Sequence, residues 1–219
     1  MKLSFLKAIF CGVFGFVVTQ EAFAESLFDN IKLFIGTGIG IANNTYEKDV
    51  ADKYLGISSE VSSNFISGFS YGVNLGFRFV DVLPTYHPGV QLFYEGMNGS
   101  AKLHFDNYNV NIHAYHNLIG GAFDNYMLLS RNKSGLLGTN VDRFLVFGLE
   151  AGQIKSRYTV PVYSSDTLRD DGNFYGIKLE YLTENVDGVG LTFGIKFLQT
   201  SIETLPYVFG IRLGGRCTF

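Results

Sequence analysis

The stretch Tyr207-Val-Phe-Gly-Ile-Arg-Leu-Gly-Gly-Arg-Cys-Thr-Phe219 lies at the C-terminal end of the sequence. Its odd-numbered positions carry no charge, whereas its even-numbered positions include Arg212 and Arg216. Successive side chains of a β-strand point to opposite faces of a sheet. The alternation therefore predicts a strand with one uncharged face and one charged face that also carries glycine.

Six further stretches alternate in the same way: residues 31–42, 69–80, 90–95, 144–152, 174–181 and 189–197. Over all seven, the uncharged face holds 35 residues, whereas the opposite face holds 34 residues of which 9 are charged. A charge that faces lipid costs about 2–4 kcal/mol at mid-membrane, which explains a face without charges. The sequence therefore predicts an all-β fold, a closed antiparallel transmembrane barrel whose charged face lines the lumen. The charges expected in the lumen are Lys32, Arg78, Glu95, Glu150, Lys178, Glu180, Lys196, Arg212 and Arg216.

The connections between the predicted strands alternate in length. Residues 81–86 and 183–188 are short turns, whereas residues 43–67 and 154–171 are long and polar. Short periplasmic turns and long external loops are typical of outer-membrane barrels. Residues 96–143 must supply a strand for an even total. Residues 108–114 alternate well, and residues 118–129 either continue that strand or form a further pair with it. Eight strands are preferred, and ten are the alternative.

A water-soluble barrel of the ligand-carrier type is the main rival fold. In such a barrel the uncharged face lines a cavity and the charged face meets water. The uncharged face here consists mostly of large residues, whereas the opposite face is rich in glycine. A narrow lumen has room for the glycine-rich face alone, which favours the membrane barrel.

The first 24 residues have the features of a cleaved signal peptide. Two lysines precede an apolar stretch, and Ala22-Phe-Ala24 then supplies the small-x-small pattern that a signal peptidase recognises. Cleavage is expected between Ala24 and Glu25. The predicted organisation is a signal peptide at residues 1–24 and one outer-membrane barrel domain at residues 25–219.

Composition limits the remaining choices. The sequence has 21 Phe, 13 Tyr and 26 Gly but only 4 Pro, which suits strands and turns. The formal net charge is −3 and no basic run is present, so nucleic acid is not an expected partner. The mature chain keeps a single cysteine, Cys217, so an internal disulfide is not expected.

Tyr71-Gly-Val-Asn-Leu-Gly-Phe-Arg-Phe79, a short turn and Gly89-Val-Gln-Leu-Phe-Tyr94 resemble the second and third strands of small bacterial outer-membrane β-barrels. The similar families are of the opacity-protein and outer-membrane-protein-A membrane-domain type. The resemblance implies a place in the bacterial cell outer membrane. It also implies that the barrel-assembly machinery recognises a final aromatic residue, here Phe219, with Ile211 and Leu213 in phase behind it.

The expected function is structural and surface-interacting, with external loops that contact host, matrix or other extracellular partners. Outer-membrane lipid and lipopolysaccharide are expected to surround the barrel. The alternative is a small porin with a weak anion preference, because six basic lumen residues outnumber three acidic ones. An eight-stranded lumen is only wide enough for side chains to fill, which favours an ion-paired plug over a pore.

A lipid-modifying enzyme is the weakest alternative, and the chain is not expected to be an enzyme. Such a hydrolase needs a His–Ser–acid set, and the sequence around His113 and His116 has no serine beside it, with Ser130 a distant candidate. His104, His113 and His116 cluster in the sequence, but on a strand His113 and His116 point to opposite faces. No metal or cofactor is therefore expected from them.

Three other patterns have ordinary explanations. Asp166, Asp170 and Asp171 crowd one predicted external loop, but their spacing matches no calcium motif. Gly36-Thr-Gly-Ile-Gly40 lies inside an alternating strand and so is not a phosphate-binding loop. Several tyrosines on the uncharged face suit the aromatic girdles at the membrane interfaces: Tyr71, Tyr94, Tyr175, Tyr181 and Tyr207.

Overall fold

The computed structural model describes residues 30–45, 60–61, 65–80, 85–105, 108–134, 140–159 and 167–219. The signal-cleavage residues Ala22, Ala24 and Glu25 lie outside these ranges. The described part consists of strands joined by turns. They are β1 (Ile31–Thr45), β2 (Glu60–Val61), β3 (Phe65–Phe79), β4 (Tyr86–Phe105), β5 (Tyr108–Ser134), β6 (Asn140–Thr159), β7 (Thr167–Asn185), β8 (Val189–Thr200) and β9 (Tyr207–Thr218).

Eight of these strands close into an antiparallel barrel, and the two-residue β2 pairs with β4 at His104 and Leu103. The sheet closes because β4 pairs with β3 on one side and with β5 on the other. Following paired residues around the barrel from Phe34 leads back to Asn44, ten residues along β1. This stagger tilts the strands by roughly 40° to the barrel axis. The preferred count of eight is confirmed.

Residues 96–143 contribute the end of β4, the whole of β5 and the start of β6. Residues 118–129 therefore continue the strand that begins at Tyr108, and the alternative of a further pair is wrong. The predicted long loop at residues 154–171 is also wrong, because β6 extends to Thr159 and β7 begins at Thr167. The strands continue beyond the apolar part of the wall, where their outward residues are polar. The prediction of a loop was based on this polar composition alone.

The turn between β7 and β8 is shorter than predicted, since β7 extends to Asn185. The side-chain oxygen of Asn185 accepts the backbone N–H groups of Asp187 at 3.0 Å and Val189 at 2.8 Å. Gly188 has a φ of 76°, a conformation that glycine adopts without the strain a side chain would add. We call the end of the barrel that carries this turn the turn end. We call the opposite end the external end.

The outward face forms an apolar belt around the barrel. The outward side chains along β1 between Leu33 and Ile41 are uncharged, and the same holds on β8 from Val189 to Phe197. Individual belt residues such as Leu92 and Ile119 expose 68% and 62% of their surface. Eight residue steps along a tilted strand give the belt a height of roughly 20 Å. No helix in the described part of the chain is long and apolar enough to cross a membrane.

A ring of amide side chains marks the external edge of the belt. On six of the eight barrel strands the outward position that follows the last belt residue is Asn or Gln, and on β3 it is Ser67. Amides favour water and headgroups over hydrocarbon, so this ring is where an apolar surrounding would end. The ring consists of Asn43, Asn98, Asn117, Gln153, Asn173 and Gln199.

Candidate functional site

The middle of the lumen holds a buried ion network. Lys178 Nζ lies 3.1 Å from Asp124 and 3.5 Å from Glu180. Glu95 forms an ion pair with Lys196 and lies 3.9 Å from the guanidinium of Arg212. A side-chain Cβ at Gly38 would overlap that guanidinium, so the glycine there makes room for the arginine. We call Glu95, Asp124, Lys178, Glu180, Lys196 and Arg212 the lumen network.

Glu150 is buried beside this network and interacts electrostatically with both Lys196 and Lys178. The sequence-based set of lumen charges lacked Asp124 and also Glu184, which is buried nearer the turn end. With these two carboxylates included, the excess of basic over acidic groups falls from three to one. The expected anion preference of the lumen therefore loses most of its basis. Regular alternation along β5 would have placed Asp124 in the lumen. The sequence left open which strand carries this residue.

The turn end of the lumen is built on arginines packed against aromatic rings. Arg78 donates a hydrogen bond from Nη2 to Glu184 at 2.9 Å and lies over the Phe144 ring. Arg216 donates from Nη1 to the Tyr126 hydroxyl at 2.9 Å and lies over the Phe34 ring, 4.1 Å from its centre. These contacts offset part of the cost of removing two charges from water. Lys32 differs from the other lumen charges because it is exposed at this mouth.

An apolar cluster fills the lumen on the external side of the network. We call it the plug; it consists of Ala42, Phe93, Met97, Leu118, Ala122, Ile154, Phe174, Leu198, Ile202, Leu205 and Val208. Ile202 and Leu205 belong to the connection between β8 and β9, and each exposes only 1% of its surface. Leu205 N–H donates to the Ile202 carbonyl at 3.0 Å, and Ser201 N–H donates to Asn173 at 2.8 Å. This connection therefore folds into the barrel and closes its external end.

His116 and Ser156 form a hydrogen-bonded pair beside the plug, with 2.9 Å between Nδ1 and Oγ. The two residues lie directly opposite each other on β5 and β6. The expectation that no serine lies beside this histidine is therefore wrong, because a neighbour across strands is invisible without the register. Burial lowers the pKa of His116, which lies beyond Asn117 on the external side of the belt, to about 4. The ring is thus neutral at neutral pH.

The His–Ser pair lacks the rest of a hydrolase site. The Nε2 atom of His116 has no hydrogen-bond partner among the described residues, whereas a catalytic triad needs a carboxylate there. Both side chains are buried, at 0% and 3% exposure, so a substrate cannot reach the hydroxyl. Tyr158 packs edge-on against the His116 ring and accepts a hydrogen bond from Thr204 at 3.2 Å. The Tyr158–Thr204 hydrogen bond therefore fastens the connection after β8 to the barrel wall, next to the His–Ser pair.

The remaining predicted residues lie apart from the lumen. Ile211, Leu213 and Phe219 point outward and expose 42%, 58% and 41% of their surfaces. Asp170 and Asp171 belong to strand β7 instead of a loop, while Asp166 and the side chain of His104 lie outside the description. No cluster of three or more His, Cys, Asp or Glu side chains suited to a metal occurs in the part of the chain that the structure describes.

The barrel can be compared with solved structures. Neisserial surface protein A (NspA) aligns with a TM-score of 0.51 at 10% sequence identity, over 85% of this chain and 97% of that one. This chain has the fold of the small outer-membrane β-barrels. The resemblance seen in the sequence is confirmed at the level of fold, including the closed eight-stranded wall.

Two further outer-membrane barrels align with lower scores. Ail, the attachment invasion locus protein of Yersinia pestis, has a TM-score of 0.40 at 13% identity, over 85% of this chain and 98% of that one. A major outer membrane protein from Thermus thermophilus has a TM-score of 0.45 at 14% identity, over 86% of this chain and 99% of that one. No family model and no curated relative matches this chain. Its role must therefore be argued from its own residues.

Proposed function

We propose that the chain is an integral protein of the bacterial outer membrane, with a closed barrel and an external end that contacts partners outside the cell. The observation that carries the proposal is the division of the barrel wall. The outward face of the barrel carries the apolar belt, which is roughly 20 Å high. The lumen contains the paired charges of the lumen network. Hydrocarbon suits the first surface and a narrow lumen suits the second. The proposed orientation places the turn end in the periplasm.

The filled lumen supports a structural and surface role over transport. A solute would have to displace both the lumen network and the plug, which are buried and mutually packed. Lys178 and Asp124, for example, expose only 4% and 0% of their surfaces. Breaking such a pair leaves an uncompensated buried charge, which is costly. Passage of solutes is therefore the less favoured function.

The external end supports contact with partners in two ways. Strands β4 to β7 project well past the amide ring, which places their ends away from the membrane. Three basic side chains, Lys155, Arg157 and Arg169, point outward just beyond the ring and are exposed, with the acidic residue Asp171 opposite Lys155. Headgroups of lipopolysaccharide carry phosphates at about this level, and basic groups near a membrane surface are attracted to such charges. We infer that lipopolysaccharide contacts this basic patch, and that host or matrix partners contact the strand ends.

Biogenesis is proposed to follow the usual outer-membrane route. The signal peptide is removed after Ala24, and the assembly machinery then recognises the outward row of Ile211 and Leu213 on β9 and Phe219 just after it. The exposure of this row, which leaves it accessible on one side of the strand, supports the assignment. No catalytic role is proposed, because the His116–Ser156 pair is buried and contacts no carboxylate among the residues that the structure describes.

Cell fractionation tests the location. The full chain should stay with outer membranes after a high-pH carbonate wash, and unheated samples should migrate faster on a gel than boiled ones. Recovery of the processed chain from periplasmic extract without detergent would overturn the proposal. Unchanged lipid A in a deletion strain is the matching expectation for a protein without lipid-modifying activity.

Single-channel recording tests the closed lumen. The purified barrel in a planar bilayer should give no reproducible conductance steps. A matched variant, I202G with L205G, removes two side chains of the plug and serves as the comparison that can open the external end. Reproducible steps from the unmodified barrel would favour the porin alternative instead.

A further inference from the structure

A cavity of about 320 Å³ opens at the turn end of the lumen. We call it the mouth pocket. Three basic residues, Lys32, Arg78 and Arg131, line it together with the acidic residues Asp142 and Glu184. Its volume lies at the lower end of the range for small-molecule sites. The lumen network and the plug lie deeper in the barrel, so this pocket belongs to neither.

Two of the basic groups are brought together by strand register. Lys32 on β1 lies directly opposite Arg78 on β3, and both residues line the pocket. Like charges directly opposite each other on neighbouring strands destabilise a sheet. Lys32 has no ion-pair partner among the described residues. A negative ligand between the two side chains would turn their repulsion into attraction.

Arg78 has hydrogen-bonding capacity left over. It is 97% buried, and its Nη2 donates to Glu184, but its Nε and Nη1 atoms have no hydrogen-bond partner among the described residues. The second oxygen of Glu184 already accepts a hydrogen bond from Thr218 at 3.0 Å. Buried donors without acceptors are costly, and the aromatic faces of Tyr126 and Phe144 offset this only in part.

Arg131 reaches the pocket because of a β-bulge. The pairing of β5 with β6 shifts between Leu128 and Ser130, so that Ser130 lies opposite Arg143. Without this shift, Arg131 would share the outward face with Met127 and Leu129. The extra residue reverses the alternation and directs Arg131 inward, where it lines the pocket. Bulges often redirect a side chain at the rim of a barrel.

We propose that the mouth pocket binds a small anion with a phosphate or carboxylate group, held by Arg78, Lys32 and Arg131. Three cations face two carboxylates, and Glu184 is already occupied by Arg78 and Thr218. Arginine donates planar pairs of N–H groups that match both kinds of anion. In the proposed orientation the ligand enters from the periplasm or is the headgroup of a lipid in the inner leaflet.

Calorimetric titration tests the site with the whole barrel refolded in an uncharged detergent at low ionic strength. The probes are inorganic phosphate and succinate. A saturable site is expected whose affinity is weakened about tenfold in R131Q and in K32Q, since each loses one charged contact. The matched control E203Q removes one exposed charge at the external end, outside both basic clusters, and should leave this site unchanged. Both test residues are exposed at the mouth, so these variants should fold.

A second titration distinguishes the two sources of the anion. In nanodiscs that contain phosphatidylglycerol, a lipid headgroup in the pocket would compete with added phosphate and weaken its binding. If the natural ligand is soluble, phosphate should bind in the nanodiscs as tightly as in detergent. Either result supports an anion site. The proposal is overturned if neither probe binds at 10 mM, a concentration on the order of weak site affinities, or if R131Q and K32Q both bind as tightly as the unmodified barrel. Neither failure affects the membrane location, which fractionation tests separately.

Discussion

Arg157 on β6 lies directly opposite Arg169 on β7, and both guanidinium groups are exposed beyond the amide ring. Neither forms an ion pair with a residue that the structure describes. Two like charges held this way lower stability unless an anion lies between them. The stability of this part of the external end therefore depends on an anion supplied by the surroundings.

Removing this pair should weaken stabilisation by lipopolysaccharide. The thermal unfolding midpoint of the refolded barrel should rise when lipopolysaccharide is added to phospholipid vesicles, and most of this rise should disappear in R157Q/R169Q. The control is K32Q/R131Q, which removes the same charge at the opposite end. An equal rise in both variants would argue against the basic patch as the lipid contact.

Breaking the Lys196–Glu95 pair should be costly. The K196M variant leaves Glu95 buried with Arg212 at 3.9 Å as its remaining cation. We expect a loss of about 3–5 kcal/mol in the free energy of unfolding, because one partner's charge is left uncompensated. The double variant K196M/E95Q should recover part of that loss in urea titrations. The exposed Lys155→Met change should cost within about 0.5 kcal/mol.

Acid should weaken the external end through His116. Its folded pKa of about 4 lies below the unfolded value of 6.5. Above pH 6.5 both states are neutral and this residue has no effect. Between pH 6.5 and 4 the unfolded state binds a proton that the folded state does not, so stability falls as pH falls.

The H116Q variant isolates this contribution. Between pH 7.5 and pH 4.5 the free energy of unfolding should fall in both proteins. The fall should be smaller in H116Q than in the unmodified barrel, by roughly 2–3 kcal/mol at most. His113→Gln, on the outward face of the same strand, is the matched control. Identical pH profiles for H116Q and the unmodified barrel would contradict the assignment.

The closed external end depends on the plug. Leu205→Ala removes a side chain that is 1% exposed, and cavities of this kind cost about 2–5 kcal/mol. Hydrogen exchange should become faster at the Leu205 and Ser201 amides while the amides of β1 keep their protection. Uniform acceleration through the whole barrel would indicate that the connection after β8 is not a separate cap.

Strand alternation was enough to predict the wall of the barrel, because lipid enforces the same choice at every outward position. Pairing between strands was not predictable in the same way. His116 and Ser156 are 40 residues apart, and only the β5–β6 register brings them together. Arg131 was beyond prediction for a different reason, since one extra residue in a bulge reverses its face. Asp124 was missed because the strand that carries it had an uncertain start.

The polar strand extensions were also misread. Residues 154–171 contain lysine, arginine and aspartate, a composition that suggests a loop when hydrocarbon is taken as the only surrounding. Above the amide ring the same strands meet water or headgroups, and outward charges there cost little. The change of surroundings along a single strand cannot be located from composition alone.

Arginine substitution at two depths of the wall tests the central claim most directly. Leu92 is 68% exposed in the middle of the belt, and Gln153 belongs to the amide ring. Measured by reversible folding into phospholipid bilayers, Leu92→Arg should cost about 2–4 kcal/mol and Gln153→Arg about 0–1 kcal/mol. Equal and small costs at both positions would mean that water surrounds the belt, and the account of this protein as a membrane barrel would be wrong.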